Sequence, residues 1–360
     1  MQYNLDEDRA LLKQSTRELL ESESPLTDAR AIMEDSSEGY DKALYANLAE
    51  LGYMGLAVPE EEGGSGVGAI GLVAVLEELG RAAFPGPFLD MAMAAEVLRG
   101  VKEPEGAEWL RRLVAGEALV LIANSESLSG DEPIEPNTHF DDGRVTGSKH
   151  FVPFGAQADA MLVSTDAGLV VVPKPDAGWN ADLLEALDHA QRLASIDFDA
   201  SCTQLTDSGT AATLLESAHQ LGALGAAALM LGLMERTLEM TLSYTMERQA
   251  FGAPIATFQV LQHRQADMFI HTESTRAAVY RAAWAADHDP DSASRLIAVA
   301  KAAAGDAGRW VAGQSIQLHG GVGYTWEYDP HIYLKRIKTL EQFYGTTRSQ
   351  LEKVLQAARI

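Results

Sequence analysis

The sequence predicts an α+β fold in three consecutive regions: an N-terminal helical domain over residues 1–117, a middle β-barrel or sandwich domain over 118–207, and a C-terminal four-helix bundle over 208–360. Two changes of texture carry the prediction. Near residue 118 helical patterning gives way to short β-branched runs bounded by Asp-Gly, Asp-Ala-Gly and Pro-containing turns. Near residue 208 those turns stop, and a proline-free stretch rich in Ala, Leu and Met begins. Long helical segments with short connections make an antiparallel bundle the default packing.

Each element follows in order. Residues 6–23, 40–51 and 69–81 read as helices, the second closed by Gly52. A turn-rich segment, LGYMGLAVPEEEGGSGVG at 51–68, separates the last two, and further helices cover 89–99 and 106–115. Strands are expected at 118–123, 144–154, 160–164, 169–172 and 195–199, with a hairpin at Asp142-Gly143. The run 209–248 would make a helix of about 60 Å at 1.5 Å per residue. Its glycines Gly222, Gly225 and Gly232 would permit close helix contact, and Gly252 and Pro254 stop it. Helices at 258–288, 292–319 and 331–358 follow, the last interrupted near Gly345.

Composition narrows the function. The chain of 360 residues carries 28 basic and 52 acidic side chains, a net charge of −24. Such a surface repels nucleic acid and anionic lipid at long range. It also repels an anionic cofactor, so any such ligand must be held by a few local donors: arginines, backbone N–H groups and helix ends. The N-terminal sequence lacks the basic-then-apolar order of a signal peptide. No membrane span is expected, for want of an apolar run of about 18 residues. Cys202 is the sole cysteine, which fits a reducing compartment, and a cytoplasmic location is expected. His, Cys and carboxylates show no metal-ligand spacing, so no metal site is expected.

Three motifs stand in order along the chain. They are LAELGYMGLAVPEEEGGSG (48–66) with LEELGR (76–81), YTMERQAFGAPIATFQVLQHRQADM (244–268), and QLHGGVGYTWEYDPHIYLKR (317–336). A guanidinium at a helix end, here Arg248, suits two-pronged binding of a pyrophosphate. Phe251 at the following bend would cover a ring, Gln259 and Gln317 would supply amides, and Gly320-Gly321 would admit close backbone approach. Glu247 and His263 read as structural residues.

Together these segments resemble the acyl-CoA dehydrogenase family over essentially the whole chain. The resemblance implies FAD as cofactor, an acyl-CoA substrate and electron-transfer flavoprotein as acceptor. It also implies that Arg248, Phe251, Gln259, Gln317, Gly320 and Gly321 contact the ADP half of an FAD whose flavin ring sits mainly in a neighbouring subunit.

The departures from the family fall on its chemistry. The reaction needs a carboxylate to remove the α-proton while the flavin takes the β-hydride. In most of the family that carboxylate precedes a Gly-Thr pair; here Tyr344 precedes Gly345-Thr346, and an alternative register places Gly345 there. Glu341, about one turn earlier, is the remaining candidate for a displaced base. On the first long helix, where some relatives carry the base, Gly222 stands at about the matching position. In the β-domain Phe151-Val152-Pro153-Phe154 replaces a Trp-Ile-Thr-Asn stretch, and Pro153 has neither N–H nor hydroxyl. Asn124-Ser125-Glu126-Ser127 replaces Thr-Glu-Pro-Gly, leaving Ser125 as a possible donor.

Flavin-ring and base positions are therefore altered, while positions reaching a neighbour's nucleotide are kept. The expectation is a chain with no catalytic residue of its own, in an α2β2 complex with a second family member. Similarity to heteromers of bacterial steroid and bile-acid side-chain degradation suggests a polycyclic acyl-CoA. The alternatives are a self-sufficient homomer using Glu341, and a binding or assembly protein that has lost FAD.

Overall fold

The computed structural model describes residues 5–127, 136–174 and 178–358. Six helices come first: α1 (Glu7–Glu23), α2 (Leu26–Asp35), α3 (Lys42–Glu50), α4 (Gly68–Arg81), α5 (Phe88–Arg99) and α6 (Pro104–Val114). The strands are β1 (Val120–Ala123), β2 (His139–Asp141), β3 (Arg144–Pro153), β4 (Ala160–Thr165), β5 (Gly168–Pro173), β6 (Trp179–Leu184), β7 (Leu193–Ser201) and β8 (Thr203–Asp207). Then follow α7 (Ser208–Glu247), the short strands β9 (Gln249–Ala250) and β10 (Ala253–Pro254), and α8 (Gln259–His288). Helices α9 (Pro290–His319), α10 (Pro330–Gln342) and α11 (Thr347–Ala358) complete the described chain.

These elements form two compact units. One comprises Arg30–Gly68 and Pro85–Gly222. Its strands make two four-stranded sheets, ordered β1-β4-β5-β8 and β2-β3-β7-β6. Among the described residues only the β1–β4 pair is parallel. The β2–β3 hairpin turns at Asp142 (φ 41°) and Gly143 (φ 78°), the left-handed pair that a two-residue turn needs to match strand twist. Strands β6 and β8, both sheet edges, lie outside the expected strands: β8 is mostly polar, and β6 is a short, half-exposed run with no β-branched residue. Helix α2, also unmarked in the sequence, is held at its end by Arg192, whose guanidinium donates to the carbonyls of Met33 (3.1 Å) and Ser36 (2.7 Å).

The other unit comprises Met1–Ala29, Ala69–Phe84 and Ala223–Ile360. Gly232 lets α4 approach α7 closely: a Cβ there would stand 1.8 Å from the Glu77 carbonyl oxygen. Across the same crossing, a Cβ on Gly80 would stand 2.1 Å from the Leu229 carbonyl oxygen. The fully buried Glu77 carboxylate accepts from Lys13 Nζ (2.5 Å), Tyr280 Oη (2.6 Å) and Arg276. Asp287 caps α4, accepting from the N–H groups of Ala69 (2.7 Å) and Ile70 (3.1 Å). Helix α7 is long and apolar enough to cross a bilayer, but 83% of its most apolar window is buried inside the protein, as a core helix requires. From the start of α8 to residue 275 only Gln265, Met268, Thr272 and Thr275 are buried. That narrow stripe leaves Val260, Phe269 and Ile270 more than half exposed.

Candidate functional site

The antiparallel run of α7, α8 and α9 brings the end of α7, the start of α8 and the end of α9 together at one end of the bundle. Three side-chain bonds fix the arrangement. Gln265 Nε2 donates to Thr245 Oγ1 (2.6 Å), Arg264 to Gln314 Oε1 (2.7 Å), and Tyr244 Oη to the His319 carbonyl (3.2 Å). All six residues singled out from the sequence lie on these segments, and all six are exposed.

Arg248 follows directly on α7 and is tied by its backbone: its N–H donates to the Tyr244 carbonyl, and its carbonyl accepts from Ile255 N–H, both at 2.8 Å. Its guanidinium has no hydrogen bond or ion pair among the described residues. This contrasts with Arg17, Arg81, Arg276 and Arg309, each paired with a carboxylate. Strands β9 and β10 then turn through Phe251 (φ 55°) and Gly252 (φ 83°). The turn holds Phe251 99% exposed, with its ring edge-on to Phe258 at 6.2 Å. Left-handed backbone at a non-glycine residue costs on the order of 1 kcal/mol, and here it presents an aromatic ring to solvent. Gln259 opens α8 and Gln317 lies two residues before the end of α9, their amides unengaged among the described residues. Gly320 turns at φ 66°, and a Cβ on Gly320 or Gly321 would meet no atom within 4 Å.

Next to these glycines lies an aromatic cluster whose members stand in two of the sequence motifs but whose mutual contact is set only by packing. The Tyr244 and His319 rings stack at 4.3 Å, and Tyr328 stands edge-on to Tyr244 at 5.7 Å. His319 Nδ1 donates to the Ser315 carbonyl at 2.8 Å, and burial holds the imidazole pKa below its usual value.

The stretch expected to carry a base is built differently. Tyr344 (φ 58°) and Gly345 (φ 92°) form the left-handed exit of α10. Fully buried Lys301 donates to the carbonyls of Glu341 (3.0 Å) and Gly345 (2.9 Å), and Gln350 to that of Tyr344 (2.7 Å). The Glu341 carboxylate is buried, 2.5 Å from Arg309 Nη1 and 3.3 Å from Thr347 Oγ1. It is committed to an ion pair within its own unit.

In the β-domain, Phe151 (φ 53°) sits at a bulge between Lys149 and Val152, and Pro153 pairs with Leu193. Phe154 is buried, packed edge-on against Tyr40 at 6.0 Å. The Ser125 hydroxyl donates to the Ser127 carbonyl at 3.4 Å. Glu126, unremarked in the sequence, accepts from Lys149 Nζ (2.6 Å), Thr138 Oγ1 (2.6 Å), and the N–H groups of Asn137 (2.7 Å) and Thr138 (2.9 Å). Against the opposing cost of burial, these donors hold its carboxyl down at about 2. Buried Lys149 also reaches Ser164 Oγ at 2.9 Å. His263 is exposed on α8 instead of packed as its helical position suggested, because the buried stripe runs through Gln265 and Met268. Glu247 accepts from Ser243 within α7 at 3.1 Å, a local contact. Cys202 is half-buried, and burial pushes its thiol up to about 11, leaving it a poor nucleophile at neutral pH.

Residues 6–117 match the acyl-CoA dehydrogenase N-terminal domain and residues 211–358 the acyl-CoA dehydrogenase C-terminal domain. The chain belongs to the acyl-CoA dehydrogenase family, whose cofactor is FAD. It is 32% identical to acyl-CoA dehydrogenase IpdE2 of Mycolicibacterium smegmatis, over 97% of this chain and 98% of that protein. Its fold is similar to a chain of the ChsE4-ChsE5 complex of Mycobacterium tuberculosis, with a TM-score of 0.88 and 27% identity over 100% of this chain and 99% of that one. It is also similar to a chain of the Tcur3481-Tcur3483 steroid ACAD, with a TM-score of 0.85 and 27% identity over 98% of each.

The open end of the bundle offers a donor set suited to an anionic dinucleotide such as FAD: a guanidinium and two amides unengaged among the described residues, an exposed ring available for stacking, and a diglycine with space beside it.

Proposed function

We propose that this chain is the non-catalytic subunit of a heteromeric, FAD-dependent acyl-CoA dehydrogenase, holding the nucleotide half of an FAD whose flavin ring lies in a partner subunit. The observation that carries this reading is an asymmetry. Arg248, Phe251, Gln259, Gln317, Gly320 and Gly321 are free to receive a ligand, while the turn at Tyr344-Gly345 offers no acid and Glu341 is bound to Arg309.

Each residue has a role in binding. Arg248 neutralises the pyrophosphate, a charge the acidic surface would otherwise repel. Gln259 and Gln317 orient it, Phe251 excludes water from one side, and Gly320-Gly321 lets backbone approach. When bound, FAD supplies the acceptor for the β-hydride in α,β-desaturation; the proton-abstracting carboxylate comes from the partner. Exposed Met246, Val260, Phe269, Ile270, Tyr324 and Trp326 on the same three helices and their connections support burial against that partner. So does the 690 Å³ groove between α8 and α9 that includes Trp310 and Gly313.

An α2β2 assembly with one FAD per pair, a polycyclic acyl-CoA substrate and electron-transfer flavoprotein as acceptor complete the proposal. The steroid ACAD and the two-component complex among the similar structures support it.

The test is to purify the chain alone and with the family member that copurifies with it, and to measure flavin and dehydrogenation. Little flavin alone and about one FAD per pair together are expected. Full flavin and turnover from the isolated chain would overturn the reading in favour of a homomer; no flavin in either preparation would point to a non-flavin assembly protein.

A further inference from the structure

We infer that Tyr244 is a positioning residue, setting the exit of α9 against the end of α7 so that Arg248 and Gly320-Gly321 address one dinucleotide. This rests on the proposed function, which supplies the dinucleotide.

Three contacts converge on Tyr244. Its hydroxyl donates to the His319 carbonyl at 3.2 Å. Its ring stacks on the His319 imidazole, with 24° between the planes. Its own carbonyl accepts the Arg248 N–H at 2.8 Å. His319 ends α9, so its carbonyl is among those a helix leaves without an internal partner. Here α7 supplies that partner, and the next residue is Gly320.

A second tie lies one turn back, where Thr241 Oγ1 donates to Ser315 Oγ at 2.8 Å. Ser315 in turn holds His319, through its carbonyl and the imidazole Nδ1. Tyr328 closes the cluster, edge-on to His319 at 6.2 Å. Tyr244 thus ties the backbone that carries the guanidinium to the backbone that carries the diglycine, with its hydroxyl engaged in that tie. An aromatic that merely filled space would need only its ring.

The hydroxyl and the ring are separable. The complex with its copurified partner is stripped of flavin and titrated with FAD, following flavin fluorescence, with the thermal midpoint measured in parallel. Tyr244→Phe keeps the stack and loses one hydrogen bond; FAD binding is expected to weaken about fivefold while the midpoint changes little. Combined with Gly321→Ala, the loss is expected to be smaller than the product of the single losses, since a displaced diglycine has less to lose.

Wild-type affinity in Tyr244→Phe overturns the inference, as do multiplicative losses that track a falling midpoint. Arg248→Ala in the same titration separates the two levels. Unchanged affinity there removes the proposed function itself; weakened affinity there with an unaffected Tyr244→Phe removes only the positioning role.

Discussion

Arg248 and Glu341 show how two charged side chains in one acidic chain take opposite fates. Arg248 ends a helix in solvent, unpaired among the described residues, whereas Glu341 is buried and neutralised by Arg309. If Arg248 holds the pyrophosphate as proposed, truncating it to Ala removes charge-assisted bonds worth about 1.5–3 kcal/mol, so FAD affinity of the complex should fall roughly 10- to 100-fold; flavin content after gel filtration checks it. Glu341→Gln should lower the thermal midpoint by breaking the ion pair, yet leave turnover of the complex within about twofold. Loss of turnover with flavin retained would instead make Glu341 a base. Gly321→Ala isolates ligand space from folding. Nothing stands near its Cβ, so stability should hold while FAD binding weakens; a destabilised protein with normal FAD affinity would contradict this.

At the level of elements, the α4–α7 crossing and the β-domain loop make the sharpest demands. Gly232→Ala would drive a methyl into the Glu77 carbonyl, which cannot move without displacing α4. A loss of several kcal/mol, on the order of 3 or more, is expected from such overpacking, read as insoluble or low-melting protein; a normal midpoint would show that the helices part easily. In the β-domain, Glu126 has a folded pKa of about 2, below the usual carboxylate value of 4.5. A depressed carboxylate lends stability that is full above the unfolded pKa and lost as pH falls toward the folded one. The unit around Lys149 should therefore loosen between about pH 4.5 and 2. Glu126→Gln should flatten that acid limb in a tryptophan-fluorescence titration, and an unchanged limb would exclude the ion pair as its source.

For the whole molecule, the expected outcome is stoichiometric: a complex of equal numbers of two different chains, with half as much FAD as total polypeptide. Native mass measurement with flavin absorbance checks both numbers together. An equimolar flavin homotetramer of this chain alone would sink the heteromer.

The sequence by itself determined the order of layers, the long helices and the family, because those depend on periodicity, turn residues and three motifs that are local along the chain. It also marked Arg248, Phe251, Gln259, Gln317, Gly320 and Gly321, which are short-range signatures at helix ends. Edge strands β6 and β8 escaped it: β8 is mostly polar, and in β6 the alternation over 179–183 is short and lacks the β-branched residues that mark a strand. Only the tertiary structure decided that Glu341 is bound to Arg309, 32 residues away, that Glu126 pairs with Lys149, and that Tyr244 holds the end of α9. Whether a carboxylate is free or neutralised, and whether a ring is filler or fastening, depends on partners brought from distant segments by packing, and no local pattern encodes those distances.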